Sequence, residues 1–71
     1  MKTTKPIVHY RSRHESGNIY WIVGMVRDVL RKQNRITEFN DMRDRVFSSG
    51  SYREALAIIG EYVTLVDDDT Q

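Results

Sequence analysis

Between positions 9 and 18 the chain reads His-Tyr-Arg-Ser-Arg-His-Glu-Ser-Gly-Asn. This stretch holds two imidazoles, two guanidiniums, a carboxylate and two serine hydroxyls just ahead of an apolar run that begins at Ile19. His9, His14 and Glu15 are possible metal ligands, but their spacing matches no metal-binding motif. Histidines exposed to solvent or paired with anions explain them more simply, and no metal or other cofactor is expected. No nucleophile elbow, phosphate loop or zinc-hydrolase helix occurs, and the carboxylate pairs Glu38/Asp41 and Asp41/Asp44 lie beside Arg43 and Arg45 as a solvated face. An enzyme is therefore not expected.

Anion binding suits this segment better. The N-terminus of a helix presents unpaired N–H groups and the positive end of its dipole. Arginine adds forked donors that match phosphate or carboxylate. Tyr10, Arg11, Arg13, His14, Gly17, Asn18 and Trp21 form the expected ligand set, with Tyr10 or Trp21 offering a flat face to a base. A phosphorylated aromatic ligand, such as a nucleotide, fits it. The competing reading pairs Arg11 and Arg13 with acids of a neighbouring subunit, the Asp67–Asp69 run being the candidate.

The elements that position these residues follow from periodicity. Ile19, Ile22, Val23, Val26, Val29 and Leu30 recur at three- and four-residue steps, which predicts a helix over 19–33 with Asn18 as N-cap. Ile36, Phe39, Met42, Val46 and Phe47 repeat the pattern over 36–48, with Asn34 or Thr37 as possible caps. Ser48-Ser49-Gly50 ends that helix, and Gly50 suits a left-handed C-terminal position. Ser51-Tyr52-Arg53-Glu54 has the form of a capping box. It opens a third helix over 52–65 with Tyr52, Ala55, Leu56, Ile59, Tyr62 and Val63 on one face. Ile7-Val8-His9-Tyr10 is β-prone, and predicts a short strand or an extended arm.

The expected fold is therefore mainly α. A basic extended arm (1–14) leads into a three-helix domain (15–66), followed by a frayed acidic tail (67–71). The 71 residues contain no cysteine, so no disulfide or thiolate metal site can reinforce a core this small. The absence of cysteine also fits a reducing compartment. Lys2, Lys5, Arg11 and Arg13 make residues 1–14 basic, whereas Glu61, Asp67, Asp68 and Asp69 make residues 61–71 acidic, within a net charge of only +1. Residues 1–8 do not form a signal peptide, and the longest apolar run, Ile19–Val26, is interrupted by Gly24 and too short to span a bilayer. A cytoplasmic protein with no membrane partner is expected.

The first half of the first helix is apolar on nearly every side, although a helix at the edge of a bundle needs one apolar stripe. Tyr20, Trp21, Gly24 and Met25 form a second face that the arm, a ligand or another subunit must cover, and Ile58, Gly60 and Leu65 lie off the main stripe of the third helix. A homo-oligomer with Tyr20, Trp21, Gly24, Met25 and Ile58 at its interface is the expectation. DNA recognition is a weaker alternative, because the third helix presents Arg53 alone among residues able to read a groove.

Ser16-Gly17-Asn18-Ile19 followed by Ile22-Val23-Gly24, together with Tyr52-x-x-Ala55-Leu56-x-Ile58-Ile59-x-x-Tyr62-Val63, resembles a family of short helical proteins encoded by bacteriophages and prophages. The resemblance covers roughly residues 15–66 and leaves the arm unmatched. It implies a small non-enzymatic protein acting in the host cell. By analogy with phage proteins of this size, its role would be counter-defence: sequestering an anionic nucleotide immune signal or blocking a host enzyme.

Overall fold

Asn18 starts the first helix, α1 (Ile19–Lys32), as its spacing predicts: its backbone is extended and its side-chain oxygen accepts the Tyr20 N–H at 2.8 Å. The computed structural model describes residues 5–14 and 17–69. Ile22, Val23, Val26 and Leu30 turn to the interior, while Arg31 and Lys32 place positive charge at the C-terminal end of the helix dipole. The helix stops in a Schellman motif. The Arg35 N–H reaches the Leu30 carbonyl at 2.8 Å and the Asn34 N–H reaches that of Arg31 at 3.0 Å. Asn34 takes the left-handed conformation this requires, with φ 59°, and among the described residues no glycine does so. Gly50 is therefore not the left-handed residue its position suggested.

The second helix, α2 (Ile36–Phe47), buries Phe39, Met42 and Val46. Its N-cap is Arg35 rather than Asn34 or Thr37, and no side chain caps it. Arg35 instead grips Glu38 in the first turn through two hydrogen bonds of 2.7 and 2.9 Å. The third helix, α3 (Tyr52–Ile59), opens on Ser51, whose hydroxyl accepts the Glu54 N–H at 3.1 Å. Ala55 and Ile59 face the core.

α3 is shorter than its apolar spacing predicts. It ends at Ile59, residues 60–63 form a turn, and Thr64–Asp67 becomes a strand. This strand, β2, pairs in parallel with β1 (Ile7–Tyr10), matching Ile7 with Thr64, Val8 with Leu65, His9 with Val66 and Tyr10 with Asp67. The Thr64 N–H to Pro6 carbonyl and Asp68 N–H to Tyr10 carbonyl bonds, both 2.8 Å, extend the ladder at either end. The acidic run that reads as a frayed tail thus begins inside the sheet. A parallel pair needs a long crossover, and here the three helices supply it.

β1 alternates in the manner of a half-buried strand. Val8 and Tyr10 enter the same core as Ile22, Val26, Leu30, Met42, Ile59 and Val63, whereas Ile7 and His9 face out. Outside the sheet, Arg45 of α2 holds Glu61 through bonds of 2.8 and 3.0 Å and donates to the Tyr62 hydroxyl at 3.1 Å. That contact fixes the turn connecting α3 to β2. No helix among the described residues is long and apolar enough to cross a membrane.

Candidate functional site

The basic segment meets acids of its own chain. β2 delivers Asp67, Asp68 and Asp69 directly beneath the loop that follows β1. The Asp69 carboxylate accepts the Arg13 backbone N–H at 2.9 Å, His14 Nδ1 at 3.1 Å and Arg11 Nε at 3.2 Å. Asp67 Oδ1 accepts the Ser12 N–H at 3.1 Å and the Asp69 N–H at 2.9 Å, and Asp68 lies 3.1 Å from His9 Nδ1. Arg11, His9 and His14 of the basic end thus pair with Asp68 and Asp69 of the acidic end inside one chain.

Asp69 has a side chain only 9% exposed. The Arg13 backbone N–H, opposed by burial and helped by His14 and Arg11, holds its carboxyl below the ordinary aspartate range. The sign of the consequence follows. A carboxylate with a depressed native pKa adds stability above its ordinary value, and that stability is lost as pH falls through the lowered one. Glu38 and Glu61, lowered first by their hydrogen bonds to Arg35 and Arg45, act in the same direction. Asp69→Asn is therefore expected to be less stable than wild type at neutral pH, with the gap closing below about pH 4. Urea unfolding followed from pH 7 down to strongly acidic conditions measures it; a gap that stays constant with pH would contradict the pairing.

Of the other members of the expected ligand set, Tyr10, Gly17 and Asn18 have structural employment. Tyr10 is 9% exposed, with its ring in the core, so in this arrangement it has no free face for a base. Burial first, then Asp67 and Tyr52, push its hydroxyl pKa up. Gly17 is buried, donates its N–H to the His14 carbonyl at 2.9 Å and accepts the Tyr52 hydroxyl on its own carbonyl. Asn18 spends its side chain on the cap of α1. Trp21 is 42% exposed on the outer side of α1. Glu15, the carboxylate of the possible metal trio, lies outside the described residues. Among those described, no three His, Asp or Glu side chains converge on a cation site.

A second candidate surface lies where the N-terminus of α1, the C-terminus of α2 and the start of α3 meet. A depression of about 320 Å³ opens there between Ile19, Tyr20, Val46, Phe47, Tyr52 and Ala55, floored by Ser49–Ser51. Tyr20 and Phe47 stack at its edge, ring centroids 5.7 Å apart and planes at 30°. Tyr20, Phe47 and Tyr52 remain 71, 52 and 45% exposed. Sequence reasoning identified Tyr20 but missed Phe47 and Tyr52, assigning both to the interior. The available signal was the Val46-Phe47 pair: adjacent residues on a helix point about 100° apart, so one narrow core stripe cannot take both.

Of the expected interface residues, Tyr20, Trp21 and Gly24 face outward, whereas Met25 and Ile58 are partly buried against the core. Compared with known protein families, curated proteins and solved structures, the chain has no match.

Proposed function

We propose that this protein is a non-catalytic binder that acts stoichiometrically on another protein, taking an apolar side chain of its partner into the depression bordered by Tyr20, Phe47 and Tyr52. The observation that carries this reading is the clustering of three outward aromatic rings around one concavity. Scattered exposed apolar residues are ordinary, but a contiguous patch marks an interaction site, and Tyr and Phe are enriched in interfaces. The volume lies at the lower end of the range for sites that enclose a ligand group, which suits one anchoring side chain. The resemblance to short phage-encoded chains supports a host protein in the bacterial cytoplasm as the target, and homo-oligomeric assembly belongs to the same reading.

The test is a titration of isotope-labelled protein with peptides selected from a random display library. Shift changes are expected to centre on Tyr20, Phe47, Gly50 and Tyr52. Phe47→Ala should weaken binding by at least about 2 kcal/mol, roughly thirtyfold in Kd, as expected for an interface anchor. Shifts confined to residues 11–18 would overturn the reading.

One observation favours a second reading, the sequestering of an anionic nucleotide. The Arg13 N–H, Arg11 and His14 already converge on a carboxylate, and the same donors suit a phosphate that displaces Asp69. Calorimetry with linear and cyclic nucleotides separates the two. Heat that disappears when Arg11 and Arg13 are both alanine, without any peptide binding, would select the nucleotide.

A further inference from the structure

The centre of the outward face of α1 is Gly24, and its position has no cause within the chain. It sits in mid-helix, where glycine is the least favourable residue after proline. A Cβ built on it would meet nothing within 4 Å, so no neighbouring backbone or side chain requires its absence. Glycine in such a place leaves a notch in an exposed ridge.

The residues around the notch are arranged in two flanks. Residues 20 and 27 are nearly two helical turns apart and share one flank, and residues 21 and 28 share the other. Each flank therefore carries an aromatic ring on the N-terminal side of Gly24 and a charge on the C-terminal side. Tyr20 precedes Arg27, and Trp21 precedes Asp28. Arg27 has no ion-pair partner among the described residues. Asp28 has only a loose contact with Arg31, at 3.7 Å between two side chains that are each 62% exposed.

We infer that α1 docks against the α1 of a second copy of this chain, antiparallel, with the two Gly24 notches facing each other. A two-fold axis lying in the interface and across the helices reverses their direction while keeping each flank on its own side. Tyr20 of one copy then meets Arg27 of the other, ring face against guanidinium, a cation–π pairing. Trp21, whose indole N–H is a donor only, meets the acceptor carboxylate of Asp28. Both pairings occur twice by symmetry. The face is thus complementary to itself, cation to ring face and N–H donor to carboxylate acceptor, which selects a second copy over an unrelated partner. The notch supplies what the pairing needs, because close backbone approach brings the flanking side chains within reach.

This surface is separate from the depression beside Phe47, although Tyr20 borders both, so Tyr20 is not the residue to test. Sedimentation equilibrium of the wild type at high micromolar concentration should give a dimer. Gly24→Leu, whose side chain has open space in the single chain, should stay folded by circular dichroism and sediment as a monomer. Arg27→Glu, an exposed change that opposes Tyr20 with a negative charge, should raise the dimer dissociation constant at least about tenfold. Phe47→Ala should remain dimeric, so loss of peptide binding and loss of dimerisation fail separately. A wild type that is monomeric at that concentration would overturn the inference, as would dimers unaffected by both Gly24→Leu and Arg27→Glu.

Discussion

Gly17→Ala is expected to destabilise the protein by about 1–3 kcal/mol, the usual cost of forcing extra volume into a packed site. The cause is steric. A Cβ at this position would lie 2.8 Å from the Ser12 carbonyl oxygen and 2.9 Å from both that of Arg11 and the Ser12 carbonyl carbon. All three are backbone atoms and cannot swing aside as a flexible side chain does. The loop between β1 and α1 would have to lift away from Gly17, loosening the Asp69 contacts to Arg11, Arg13 and His14 and the Tyr52 hydroxyl bond to the Gly17 carbonyl. For a domain of this size, whose whole stability is of order 5 kcal/mol, that is a large fraction. Urea denaturation measures it, and an alanine variant as stable as wild type would show that the loop does not close on Gly17.

Val8→Asp is expected to cost about 3–5 kcal/mol, the range for an unpaired charge left in an interior, and to abolish cooperative unfolding if the remaining stability is small. Val8 is 1% exposed and packs in the core cluster with residues of all three helices. Its neighbour on the same strand provides the control. Ile7 is 61% exposed on the opposite side of the sheet, so Ile7→Asp should change stability by no more than about 0.5 kcal/mol. Thermal and chemical denaturation of the pair tests whether residues 7–10 are a working part of the core. Equal effects, large or small, would refute the alternation.

The helices α1 and α2 are legible in the sequence because their signals are local: a stripe of apolar residues at helical steps, a capping asparagine and charges suited to the dipole. Ser51 and Glu54 mark the start of α3 equally well. Its end is not legible. Ile59, Tyr62 and Val63 continue a helical period, and nothing nearby announces that Thr64–Asp67 will pair with a strand at the other end of the chain. That information resides in Val8 and Tyr10, and a scan of local windows does not join them. The same blindness affects the candidate site. The sequence singles out Arg11, Arg13 and His14 as a group for an anionic ligand. It does not announce the strand that brings the Asp69 carboxylate against the Arg11 and His14 side chains and the Arg13 backbone N–H. The left-handed position after α1 is occupied by Asn34, a residue type that tolerates it. Its role was hidden behind the more conspicuous Gly50.

The parallel pairing of β1 with β2 also sets a timetable for synthesis. β1 is synthesised before all three helices and β2 after them, so Val8 and Tyr10 have no ladder to join until residues 64–67 have been made. The α1–α2 pair, in contact and adjacent in sequence, can form early, whereas closure of the sheet is a late, long-range event. A message cut short before Thr64 would yield a chain with its helices encoded but its first strand unpartnered. Such a strand, with an open hydrogen-bonding edge and apolar residues on one side, is a template for aggregation. Cover for the edge of β1 therefore depends on synthesis having passed Asp67, so the two strands tie the helices between them into one late-closing unit.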